Sequence, residues 1–198
     1  MKVYGDLQSG NCLKVKMLLS FLNIKHEWIH VNILDGETKT TEFLSKYPNG
    51  KIPAVELDDG RYLCESNAIL GYFSENTAFL PKDTYLKAKV YEWLFFEQYS
   101  HEPFIAVARF IQKYLGMPKE REAEYDSLQE GGHKALQLME SQLSKTKYLV
   151  GDEMTIADIS LYAYSHVADE GGFDLTQYPA IQNWCHRIQS TPGYVGMA

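Results

Sequence analysis

The sequence predicts two domains, a small four-stranded α/β domain followed by an all-helical one, on three observations. Over the first eighty residues the hydrophobic period switches between two and about 3.6 in the order β-α-β-α-β-β-α. Leu80-Pro81-Lys82-Asp83 is a polar, proline-bearing linker, and everything beyond it carries helical spacing. Thr155-Ile156-Ala157-Asp158 is a capping box that opens a helix apolar almost all round, the expected centre of the second domain. The expected boundaries are residues 1–80 and 85–198.

Taken in order, Lys2 to Tyr4 is a short strand, and Gly5 to Gly10 a loop. Asn11 to Leu22 places Val15, Leu18, Leu19 and Leu22 on one helical face. Glu27 to Ile33 alternates Trp28, His30 and Asn32 against Ile29, Val31 and Ile33, the period of a second strand. Strand, helix, strand with a crossover predicts a parallel pair. A short helix is expected around Phe43-Leu44. Ala54 to Leu57 and Tyr62 to Cys64 form a hairpin across Asp58-Asp59-Gly60, since Asp-Gly is a strong turn signal. A helix follows from Asn67 to about Glu75. In the second domain, Tyr85 to Tyr114 is helical, but Pro103 must end or kink it, having no N–H to donate. Glu120 to Leu143 is a long helix whose Gly131-Gly132 pair costs about 1 kcal/mol per residue against alanine, which implies a bend or close packing. Pro179 to Gln189 is the last helix.

The net charge of −7 argues against nucleic acid or an anionic membrane surface as the main partner. Cys12, Cys64 and Cys185 are widely spaced, which suggests neither a disulfide framework nor a metal site. The first residues lack an apolar leader core and no apolar run approaches a membrane span, so a soluble cytoplasmic protein is expected.

The stretch from Asn49 to Ile69 reads as a recognition unit. Pro53 opens an edge strand, where its missing N–H costs nothing and a cis bond is a deliberate feature. Glu65 and Ser66 stand where the next helix begins, and its unpaired N–H groups and positive dipole end make a seat for a carboxylate. A peptide-like ligand would pair its backbone with Ile52 and set its α-carboxylate on Ser66. An edge hairpin followed by an ordinary helix start accounts for the same residues.

Asn49-Gly50-Lys51-Ile52-Pro53, the hairpin, Glu65-Ser66-Asn67-Ala68-Ile69 and the later Thr155-Ile156-Ala157-Asp158-Ile159 together resemble the cytosolic glutathione transferases over essentially the whole chain. The resemblance implies a thioredoxin-like first domain that binds glutathione as co-substrate, an all-α domain for a hydrophobic electrophile, and a homodimer; it implies no metal. Carried over position by position, Ile52 pairs with the cysteinyl unit ahead of a cis bond to Pro53, Glu65 and Ser66 hold the γ-glutamyl end, and Lys51 meets the glycyl carboxylate. Thr155 and Asp158 are a folding device. The activity implied is conjugation of glutathione. The alternatives are a glutathione-dependent disulfide reductase or peroxidase, and a non-catalytic glutathione-binding regulator.

Such enzymes hold the glutathione sulfur beside a polar group in the loop after the first strand, which here offers Ser9, Asn11 and Cys12. Ser9-Gly10-Asn11 is similar to the serine-type classes and to a bacterial class that uses Thr and Asn two residues apart. A free thiol with a pKa near 8.5 is only about 3% thiolate at pH 7, and two units of lowering need roughly 2.7 kcal/mol. One charge-assisted hydrogen bond from Ser9 supplies about 1.5–3 kcal/mol and the helix N-terminus about 0.3–1 more, so the two together suffice without a general base. Asn11 is a candidate second donor. Cys12, in the first helical turn, is either a low-pKa nucleophile or a small residue packed inward. In the aromatic stretch Phe95 to Phe104, and beyond it at Arg109, the candidates for an electrophile pocket are Tyr99, Phe104 and Arg109; a packed helical core is the plainer account of the same aromatics.

Overall fold

The computed structural model describes residues 1–197, in two compact units. One comprises Met1–Glu75 with residues 191–197, the other Asn76–Ser190. The chain thus returns to the first unit after α-helical residues of the second: Ser20 donates from Oγ to the carbonyl of Gly193 at 2.7 Å. No local pattern in the sequence announces that return, because it rests on irregular backbone.

In the first unit the elements are β1 (Lys2–Gly5), α1 (Gly10–Phe21), β2 (Glu27–His30), α2 (Thr41–Lys46), β3 (Ala54–Glu56), β4 (Tyr62–Cys64) and α3 (Ser66–Ser74). The sheet runs in the order β2-β1-β3-β4. β1 pairs parallel with β2 and antiparallel with β3, and β3 with β4 closes the hairpin. Gly60 takes the left-handed backbone that this turn needs, at φ 82°. Strand alternation divides the side chains between the two faces. Val3, Val55 and Leu63 pack with Val15, Leu19 and Ile69, while Ala54 and the ring of Tyr4 pack with Phe43 and Tyr47 on the other side. β2 is shorter than its alternating pattern suggests. Asn32 ends it by accepting from Leu34 N–H at 2.9 Å and donating from Nδ2 to Asp35, a side chain–backbone turn that competes with the ladder.

The second unit contains α4 (Thr84–Phe96), α5 (Glu102–Arg109), α6 (Glu122–Leu143), α7 (Ile156–Ser165) and α8 (Pro179–Gln189). Pro103 breaks the long helix as expected. The break is a wide π-turn over Glu97–His101, followed by α5 with the proline in its first turn, where no N–H is missed. A second π-turn, Phe110–Tyr114, follows α5. The glycine pair in α6 serves close packing: a Cβ at Gly131 would lie 2.2 Å from the ring of Phe104, and one at Gly132 2.3 Å from that of Phe173.

Every residue of α7 is buried. Its capping box forms, and the carboxylate of Asp158 does more than cap. Oδ2 accepts from Thr155 N–H at 2.9 Å and Thr155 Oγ1 at 3.0 Å, and Oδ1 from Leu149 N–H and Trp184 Nε1, both at 2.9 Å. One buried side chain therefore ties the α6–α7 loop, the start of α7 and α8 together. Among the described residues no helix is long and apolar enough to cross a membrane.

Candidate functional site

In the first unit two helix beginnings converge. Ser9 is the N-cap of α1: its Oγ accepts from Cys12 N–H at 3.4 Å, while its own N–H donates to Asp6 O at 3.1 Å. Capping uses one lone pair of the hydroxyl and does not consume its proton, so capping and donation to a ligand are compatible. Two residues on, Asn11 Oδ1 accepts from Ser66 Oγ at 3.1 Å. That bond spans 55 residues of sequence and sets the first turn of α1 beside the first turn of α3. Both helices turn the positive ends of their dipoles towards this spot, which favours an anion.

Glu65, just before α3, has φ 65° and ψ 113°. Positive φ is uncommon outside glycine and costs conformational energy; such strain clusters at ligand clamps. Its carboxylate is exposed and accepts from Asn49 Nδ2 at 3.2 Å. Ser66 is buried, 5% exposed. On the segment before β3, Lys51 is exposed, Ile52 half-buried and Pro53 buried, and the Ile52–Pro53 bond is cis. Lys39 Nζ donates to Gly50 O at 3.0 Å, fixing that segment to the preceding loop.

Of the three candidates for the sulfur, Cys12 packs inward. It is fully buried, its Sγ lies where a Cβ on Gly5 would come within 2.9 Å, and burial pushes its thiol up to about 12. Hydrogen bonds from Ser9 and from the backbone at Asp6 pull the other way and are outweighed. Cys185 is pushed up to about 12 by burial as well, and Cys64 is raised by burial and the charge of Glu65. In the folded protein an aromatic disulfide reagent is therefore expected to titrate Cys64 first and slowly, with Cys12 and Cys185 reacting only on unfolding. Rapid labelling of Cys12, read by peptide mass, would contradict this. Tyr4 donates its hydroxyl hydrogen to Glu56 Oε2 at 2.9 Å, and burial with that partner pushes its phenol up to about 12.

The sequence-derived electrophile residues do not share one pocket in the second unit. Tyr99 is 85% exposed. Phe104 lines a cavity of about 490 Å³ with Phe96, Ser100, Gly131 and Leu138. Arg109 is buried; its Nε donates to Glu170 Oε2 at 2.6 Å and its guanidinium lies 5.4 Å from the centre of the Tyr114 ring. Lys113 pairs with the other oxygen of Glu170. Burial lifts the Glu170 carboxyl, but Lys113 and Arg109 outweigh it and hold the group below the usual range. A depressed folded-state pKa adds stability above the ordinary glutamate pKa that is lost as pH falls through the folded value. Glu170→Gln is expected to lower the melting temperature at pH 7, with the difference from wild type closing below about pH 4. A difference independent of pH would contradict the ion-pair account.

Two side chains beside these helix beginnings were not among the sequence candidates: Lys14, buried on α1, and Asn49, bonded to Glu65. For Lys14 there was a signal: it lies four residues before Leu18, on the side of α1 assigned to the core. Asn49 had none, since its bond to Glu65 crosses a loop.

Residues 8–76 match the family model described as Glutathione S-transferase, N-terminal domain, and residues 95–192 that of the C-terminal domain. A solved glutathione S-transferase of Pseudomonas fluorescens is 59% identical, covers 99% of this chain and 98% of its own, and superposes with a TM-score of 0.97. The disulfide-bond oxidoreductase YfcG of Escherichia coli is 28% identical over 90% of this chain and 86% of its own. Another family member from Pseudomonas fluorescens, solved with two glutathione molecules bound, is 22% identical, covers 97% of this chain and 89% of its own, and has a TM-score of 0.85; at that identity it shows the fold alone.

Proposed function

Since the chain belongs to the glutathione S-transferase family, we propose that it is an enzyme that conjugates glutathione to a small, hydrophobic electrophile. One observation carries this reading: the Ser66–Asn11 hydrogen bond, which joins two helix N-termini beside the Ser9 hydroxyl. The tripeptide lies extended along Ile52 and Pro53. Its γ-glutamyl carboxylate rests on the first turn of α3 at Ser66, its ammonium end faces Glu65, and its glycyl carboxylate meets Lys51. The strained backbone of Glu65 supports a ligand clamp at that corner.

The sulfur then stands at the start of α1, where Ser9 donates to it and Asn11 is the second donor. Its proton passes to solvent, the S–C bond forms, and the electron pair of the breaking bond departs with the leaving group. Positioning and thiolate stabilisation supply the rate enhancement. Phe104 is the proposed apolar contact for the second substrate. The protein works in a reducing cytoplasm, in keeping with three free thiols. It works as a twofold dimer, in keeping with the exposed aromatic side chains Tyr85, Phe95 and Tyr99.

A second reading, glutathione-dependent disulfide reduction, is favoured by the likeness to YfcG. The buried Cys12 speaks against a form of it that uses a protein thiol. Side-by-side assays decide. Turnover of an activated haloarene with glutathione, exceeding turnover of a glutathione mixed disulfide, is the expected result. The reverse order assigns the protein to disulfide chemistry, and the absence of both with glutathione still bound makes it a binding module.

A further inference from the structure

Lys14 is a side chain to which none of the roles above is assigned. It is fully buried on α1, a state lysine almost never adopts unless it is paired. Its Nζ donates to Ser66 Oγ at 3.4 Å, and the Ser66 hydroxyl donates in turn to Asn11 Oδ1 at 3.1 Å. The chain Lys14–Ser66–Asn11 thus fixes which way the serine hydroxyl points. It also sets an ammonium, out of water, behind the first turn of α3. A methionine would fill the same volume without the desolvation cost of a charge. The cation and the α3 N–H groups raise the potential at one spot, so an anion seated there gains from both.

We propose that Lys14 is a positioning residue of the glutathione site: through Ser66 it orients the γ-glutamyl seat, and its charge selects a ligand that carries the α-carboxylate. This rests on the glutathione reading above. The test compares glutathione with γ-aminobutyryl-cysteinyl-glycine, which lacks only that carboxylate, by calorimetry on wild type, Lys14→Met and Lys14→Arg. Wild type is expected to prefer glutathione by at least about tenfold. Lys14→Met should lose that preference by weakening glutathione about tenfold or more, with the analogue's affinity held within about twofold, and Lys14→Arg should restore it. Equal weakening of both ligands, or of neither, overturns the proposal while leaving the glutathione site intact. Wild type that binds neither ligand overturns the glutathione reading and this one with it. Should Lys14→Met fail to fold, Lys14→Gln, which keeps a donor to Ser66 without the charge, is measured against the same two ligands with the same expected and overturning results.

Discussion

Asp158→Ala is expected to lower the melting temperature by roughly 6–20 °C, from a loss of about 3–5 kcal/mol in a chain of this size. The reason is the number of donors left behind. Thr155 N–H, Thr155 Oγ1, Leu149 N–H and Trp184 Nε1 all point at one carboxylate that is wholly out of water. Each buried donor without an acceptor costs about 1–3 kcal/mol, with partial relief where a loop relaxes. Asp158→Asn should be nearly as harmful, because its amide nitrogen would face donors at one of the two oxygen positions. Calorimetric melts of both variants check this. A shift of only a degree or two, or a well-tolerated asparagine, would mean that the network does not hold α7 and α8 together.

Ser9→Ala is expected to cut kcat/KM for conjugation by roughly ten- to a hundredfold at neutral pH, the loss of one charge-assisted hydrogen bond of about 1.5–3 kcal/mol. Glutathione affinity should hold, since the backbone at Ile52 and the seat at Ser66 are untouched. The pH–rate profile carries the sign: without the donor the bound thiol titrates about one to two units higher, so the variant recovers rate as pH rises. A modest stability loss of about 1 kcal/mol accompanies it, because Ser9 also caps α1. Ser9→Thr should restore both cap and rate. Unchanged turnover in Ser9→Ala would transfer the activating role to Asn11.

What the sequence made legible is what short-range chemistry determines. The strand and helix order, the Asp-Gly hairpin and the Thr155–Asp158 box depend on residues within a few positions of each other, and each forms where the pattern puts it. Pro103 announces a break, but no local period encodes its form, a π-turn with Glu97 and His101 buried. The glycine pair in α6 becomes intelligible only with Phe104 and Phe173 in place. At the site, Ser9, Glu65 and Ser66 were readable as helix beginnings. Their convergence was not, because the Ser66–Asn11 bond joins residues far apart in the chain, and neither the left-handed backbone of Glu65 nor the burial of Lys14 follows from composition. Tyr99 and Arg109 look alike in a run of aromatic and polar residues. Burial separates them: one faces water and the other is held by Glu170.

A crystal structure of the glutathione complex reads directly where the sulfur comes to rest. The sulfur is expected within hydrogen-bond reach of Ser9 Oγ, with the γ-glutamyl carboxylate on the first turn of α3 at Ser66 and the cysteinyl backbone paired to Ile52. A tripeptide found elsewhere, or a sulfur bonded to Cys12 with Ser9 out of reach, would contradict it.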